Sequence, residues 1–209
     1  MRRLFALLLV LAVASIARAQ EAAEEEKAWT FSASVYTYFV PDSHEYLQPT
    51  ITADHDWLHL EARYNYEAQN TASVWAGYNL AGTLFDEKVE WEFTPMIGGV
   101  FGDTSGVAPG YKATINWWKL ELYSEGEYVF DCGGLSDDSF FYNWSEFTFY
   151  PVEWFRFGVV TQRTRAYESD RDIQRGLLVG VTWKQIDVAG YIFNPDDEPI
   201  FMLGLRFDF

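Results

Sequence analysis

From Trp29 to the carboxy terminus, apolar and polar positions trade places with a period of two, the repeat of a strand whose successive side chains point to opposite faces. The first such run sets Trp29, Phe31, Ala33, Val35, Thr37 and Phe39 against Thr30, Ser32, Ser34, Tyr36 and Tyr38. Residues 57–66 repeat the pattern, with Leu58, Leu60, Ala62, Tyr64 and Tyr66 opposite His59, Glu61, Arg63 and Asn65. The last run sets Phe201, Leu203, Leu205, Phe207 and Phe209 against Met202, Gly204, Arg206 and Asp208. Further runs cover 46–54, 72–80, 89–101, 111–117, 119–130, 139–150, 154–165, 175–183 and 186–194, so the chain reads as all-β with about twelve strands.

Turn-forming residues separate the runs. Pro41 to Glu45, Asp54-His55-Asp56, Glu67 to Thr71, Pro151-Val152-Glu153, Lys184-Gln185 and Pro195 to Pro199 read as connections, and Asp131 to Asp138 and Tyr167 to Asp172 as loops. The glycines and proline of Phe101 to Gly110 mark the longest loop candidate. Pro95 falls inside a run, where its missing N–H predicts a bulge or kink. Long and short connections alternate along the chain, as in a barrel with short turns at one rim and long loops at the other; Leu80 to Lys88 breaks the rule, being long where a turn is expected.

Outside the alternating region the chain changes character. Met1-Arg2-Arg3, an apolar run from Leu4 to Ile16 and the small-residue site Ala17-Arg18-Ala19 predict a secretory signal peptide over residues 1–19. Residues 20–28 form an acidic leader with no face to bury, predicted to be disordered, which leaves 29–209 as the folded domain. Past Ala19 hydrophobicity is dispersed, although 49% of residues are hydrophobic and 19% aromatic. A mean hydropathy of −0.15 suits either a soluble β-protein or a membrane barrel, and excludes a helical membrane protein. Tryptophan favours the membrane barrel, because interfacial rings collect at membrane surfaces, although such rings could also cap a soluble sandwich core: Trp29, Trp91, Trp117 and Trp183 share the apolar parity near strand ends of one rim, with Trp57, Trp118 and Trp154 at neighbouring turns.

The closing residues carry a more specific signal. Gly204-x-x-Phe207-x-Phe209, with Phe209 terminal, resembles the closing strand that the outer-membrane assembly machinery of Gram-negative bacteria recognises in β-barrel proteins. The resemblance implies a transmembrane antiparallel up-and-down β-barrel in the outer membrane, in contact with its lipid and lipopolysaccharide and with the barrel assembly machinery, both termini being periplasmic.

Net charge limits what such a barrel can do. The formal charge is −16, and losing Arg2, Arg3 and Arg18 with the signal lowers 15 basic residues to 12 against 31 acidic, so nucleic acid is no partner. Cys132 is the single cysteine, which excludes an intramolecular disulfide and a thiolate cluster, and no spacing of metal ligands or cofactor-binding residues is recognisable. With the apolar face outside, the inward set is Tyr36, Tyr38, Glu61, Arg63, Trp75, Glu90, Glu92, Lys112, Glu121, Tyr123, Glu125, Glu127, Trp144, Glu146, Arg156, Asp187, Tyr191, Arg206 and Asp208. Charges in that number require water, ion pairs or both. Glu90, Glu92, Glu121, Glu125, Glu127, Glu146, Arg63 and Arg156 are the candidate lumen and selectivity residues; Glu125 and Glu127 are expected to face Glu146, with Arg156 beside it.

These features point to a narrow porin-like channel with an acidic lumen, and not to an enzyme. The alternatives are a structural or adhesion barrel with a plugged lumen, and a lipid hydrolase. The last needs Ser and His on the outer wall, and Ser43-His44 offers the pair without a partner carboxylate, while His55 falls in a turn and His59 faces inward.

Overall fold

In the computed structural model the described residues are 28–41, 44–132, 139–164, 173–196 and 198–209. The signal peptide, all but the last residue of the acidic leader, Ser43, Gly133 to Asp138, Tyr167 to Asp172 and Asp197 lie outside them. Thirteen strands follow in order: β1 Thr30–Phe39, β2 Tyr46–His55, β3 Leu58–Tyr64, β4 Thr71–Tyr78, β5 Leu80–Leu84, β6 Val89–Gly102, β7 Gly106–Trp117, β8 Leu120–Asp131, β9 Phe140–Val152, β10 Phe155–Arg163, β11 Gln174–Trp183, β12 Ile186–Phe193 and β13 Ile200–Asp208. Each pairs antiparallel with its sequence neighbours, except that β4 and β5 both lie against β6, so the two are halves of one strand interrupted at Asn79. The ring therefore has twelve members. It closes where β1 meets β13, from Ser32 opposite Asp208 to Phe39 opposite Phe201.

Closure follows from the alternation. Along β13 the odd positions Phe201, Leu203, Leu205 and Phe207 are exposed, while Met202 is buried on the inner side and Gly204 with it. The same phase in every strand yields an outer wall of Phe, Leu, Ile and Val, including Ile51, Val74, Ile97, Val159 and Leu177. Backbone donors and acceptors are paired around the ring, which a lipid-facing sheet needs because hydrocarbon offers them no partner.

One rim, here the turn end, carries both described termini and the tight connections Asp56–Trp57, 85–88, Trp118–Lys119, Glu153–Trp154 and Lys184–Gln185. Trp29, Trp57, Trp117, Trp118, Trp154 and Trp183 are exposed there and Trp91 is half-buried, forming a girdle at that rim. The opposite rim, the loop end, carries the remaining connections.

Three boundaries differ from expectation, each for a local reason. Leu80 to Lys88 is not a long loop: Leu80–Leu84 continues the strand along β6 and only 85–88 turn, so the exception to the short-turn rule disappears. Phe101 to Gly110 is not a loop either, because β6 runs to Gly102 and β7 starts at Gly106. Its glycines do not make a long loop; Gly110, like Gly98 on β6, faces inward under the Trp75 ring, and a Cβ on Gly98 would lie 2.4 Å from Trp75 Cδ2. Pro95 produces no kink in β6. Its partner strand yields instead: β4 stops at Tyr78, β5 resumes at Leu80, and Pro95 pairs only with Tyr111 of β7. In addition, Pro151 belongs to β9, and Tyr66, expected on the apolar outer face, is buried inside because β3 ends at Tyr64 and the chain then folds inward.

Candidate functional site

The inner wall divides into a packed loop-end half and an open turn-end half. In the packed half Tyr38, Trp75, Tyr142, Gln162 and Phe193 are buried, and Gln162 Nε2 donates to Tyr38 Oη at 3.0 Å across the barrel. Arg63 on β3 is at its centre. Its Nε donates to Glu61 Oε1 at 2.7 Å and its Nη1 to Glu127 Oε2 on β8 at 2.7 Å, while Cζ sits 4.1 Å from the Tyr66 ring centroid and 4.6 Å from that of Trp75. Two carboxylates and two ring faces thus hold one buried guanidinium, offsetting a desolvation cost that neither kind of contact would cover alone.

Glu61 also receives Lys112 from β7 and faces His59 Nε2 at 3.0 Å; His59 Nδ1 lies 2.7 Å from Asp54 Oδ1, which Asn79 Nδ2 also reaches at 2.8 Å. A polar chain therefore runs from the break between β4 and β5 to the Arg63 strut. Asn79, at the break between β4 and β5, donates to Asp54 and accepts from Thr94 Oγ1 at 2.7 Å. At the loop end Glu67 folds back into the barrel, where Ser73 Oγ and Trp75 Nε1 donate to its Oε1 and its Oε2 has no partner. Burial raises the Glu67 carboxyl above the ordinary carboxylate range, with Arg63, 3.9 Å away, opposing the shift.

The turn-end half holds a cavity of about 430 Å³ that reaches the rim where Arg206 and Asp208 are half-exposed. Its acids, apart from Glu61 of the strut, fall into two groups. Asp187 is bonded by both Nη groups of Arg156, and Asp208 by Arg206 Nε at 2.8 Å. Among the described residues Glu121, Glu125 and Glu146 have neutral hydrogen-bond donors only: Tyr150 Oη reaches Glu121 at 3.0 Å, Tyr123 and Tyr66 reach Glu125, and Trp144 Nε1 and Tyr191 Oη reach Glu146 Oε1 at 2.9 and 3.1 Å.

Of the residues predicted from the sequence, Arg63 and Glu127 lie in the strut and Glu121, Glu125, Glu146 and Arg156 line the cavity. Glu90 and Glu92 have the inward parity but are exposed, on the end of β6 that pairs with β5. The expected facing of Glu125 and Glu127 with Glu146 is replaced by a different register: Glu125 opposes Trp144, Glu127 opposes Tyr142 and Glu146 opposes Tyr123. Arg156 is hydrogen-bonded to Asp187 and not to Glu146; its guanidinium crosses β11 over Gly180, where a Cβ would lie 2.7 Å from Arg156 Cζ, and ends on Asp187 of β12. Sequence reasoning gave no role to His59, Asp54 or Glu67. Inward parity marked His59, but nothing in the alternation shows a loop residue such as Glu67 turning back inside. Of the other histidines, His44 is at the loop end and His55 packs against Trp29, ring centroids 4.9 Å apart.

At the closing seam Phe209 exchanges backbone hydrogen bonds with Phe31 at 2.8 and 2.9 Å, and its ring stacks on Phe31 and Phe207. Gly204 pairs with Tyr36 and Ala189.

A closed ring with an apolar outer belt, a tryptophan girdle and an interior of ion pairs and carboxylates is a membrane-spanning β-barrel of the outer-membrane kind, inside out relative to a water-soluble barrel. Among solved structures the chain is similar to a KdgM porin, with 11% sequence identity and a TM-score of 0.57 over 85% of this chain and 99% of that one. A second neighbour, a KdgM porin in complex with disordered oligogalacturonate, has 10% identity and a TM-score of 0.55 over 86% and 99% of the two chains. No protein-family model and no curated protein matches the sequence. At this identity the likeness is one of fold: a porin's twelve-stranded barrel.

Proposed function

We propose that the protein is a narrow, porin-like channel of the outer membrane that admits small solutes or ions through an acidic lumen. The observation that carries this reading is the polar cavity itself, open at the turn end and bounded inward by side chains on opposed strands. Arg63, Glu61, Glu127 and Lys112 form an ion-paired layer across the lumen, and a constriction made of side chains sets a low conductance. Oligogalacturonate, named with one neighbour, is a polyanion; Glu121, Glu125 and Glu146, none of them hydrogen-bonded to a base among the described residues, oppose such a ligand here. Gly204, Phe207 and Phe209 serve in this reading as the assembly signal, and the tight turns face the periplasm.

Refolded protein in a planar bilayer tests the channel. Small, cation-preferring conductance is expected, with reversal potentials that lose part of that preference in the Glu125→Gln/Glu146→Gln pair. An anion-selective or non-conducting parent refutes the reading.

A further inference from the structure

The open half of the lumen is lined by more than carboxylates. Tyr36, Trp144 and Tyr191 converge on it from β1, β9 and β12, with ring centroids 6.1 Å apart for Tyr36 and Trp144, 6.2 Å for Tyr36 and Tyr191 and 5.4 Å for Trp144 and Tyr191. Three non-adjacent strands thus present one aromatic corner, and the carboxylate of Glu146 is bonded to two of its members. The wall behind it is cut back. A Cβ on Gly204 would lie 2.6 Å from Tyr36 Cε1, so glycine lets that ring lie against the barrel wall and leaves the space in front of it free. Gly180 does the same for Arg156, whose guanidinium is hydrogen-bonded to Asp187.

We propose that this cavity is a binding site for small alkylammonium cations. A volume of about 430 Å³ is within the range typical of small-molecule sites, about 300–1,000 Å³. An aromatic corner attracts a cation whose charge is spread over alkyl groups, and the neutral donors on Glu125 and Glu146 orient the carboxylates without cancelling them. A hydrated alkali ion would use the carboxylates but gain nothing from the rings. A neutral sugar would use the rings and leave the negative charge uncompensated. The inference names the solute class of the porin reading and rests on it for access, but not for the binding event.

The test is equilibrium binding of choline to the full refolded chain in detergent micelles, by calorimetry, beside its neutral isostere dimethylbutanol and potassium chloride. Heat-modifiable gel migration establishes that each variant is folded. Choline is expected to bind at least about tenfold more tightly than the isostere, with Glu146→Gln weakening it about five- to tenfold. Gly204→Ala, which drives the Tyr36 ring into the cavity, is expected to weaken choline and the isostere alike. Equal affinity for choline and the isostere, no choline heat from a folded barrel, or unchanged affinity in Glu146→Gln overturns the proposal. A barrel that conducts but does not bind choline defeats this inference alone; one that binds choline and does not conduct defeats the channel reading alone.

Discussion

Replacing Arg63 by Met removes the one charge that ties β3 to β8 through the lumen and tests what holds the packed half together. Methionine keeps the aliphatic length and contact with the Tyr66 and Trp75 rings, so the loss isolates the guanidinium. Glu61 keeps Lys112 and His59, but Glu127, whose only side-chain hydrogen bond among the described residues is to Arg63 and whose Oε1 already lacks a partner there, becomes a buried carboxylate with none. Breaking a buried pair in this way costs about 3–5 kcal/mol. Urea unfolding in lipid vesicles, followed by tryptophan fluorescence, reads the change. With a slope of about 2 kcal/mol per molar, the midpoint falls by roughly 2 M. Arg206→Met is the control, since its pair with Asp208 is more than half exposed and such pairs contribute about 0–1 kcal/mol. Adding Glu127→Gln to Arg63→Met is expected to recover part of the loss, because the stranded charge goes with it. The reasoning fails if Arg63→Met shifts the midpoint no further than Arg206→Met, or if the second substitution deepens the loss.

Burial holds the Glu67 carboxyl above its ordinary range, so its contribution to stability is complete below the unfolded-state value and declines as pH rises through the folded one. Glu67→Gln, which keeps an acceptor for Ser73 and Trp75, removes that decline. The variant is expected to match the parent near pH 4 and exceed it by on the order of 1 kcal/mol at pH 8 in urea titrations; a parent that gains on the variant as pH rises contradicts it. Gly98→Ala places a Cβ into the Trp75 ring and is expected to lose about 1–3 kcal/mol. Gly99→Ala, whose Cβ meets nothing, should change the unfolding midpoint little, and equal losses at both sites would refute the seat assigned to Trp75. Cys132 is exposed at the loop end of β8, so a membrane-impermeant thiol reagent should label it on intact cells; labelling only after lysis would reverse the orientation.

Within the strands the alternation was sufficient to determine which residues face outward and which face inward, though not for Tyr66 beyond the end of β3, because a period of two leaves one choice of face for each strand and the Phe-rich set cannot share an interior with Glu121, Glu125 and Glu146. Strand number, the girdle rim and the acidic character of the lumen follow from the same local pattern. Glycine was ambiguous, since Gly110 reads as part of a loop when, like Gly98 on β6, it is flat wall beneath Trp75. Only the closed ring decides which inward residues meet. Arg63 and Glu127 are 64 residues apart and touch because the barrel's stagger sets β3 and β8 at one level, and Arg156 passes over Gly180 to Asp187 because β11 offers no side chain to stop it. Parity assigns a residue to the lumen; the register between strands distant in sequence assigns its partner there, and that register is a property of the ring as a whole.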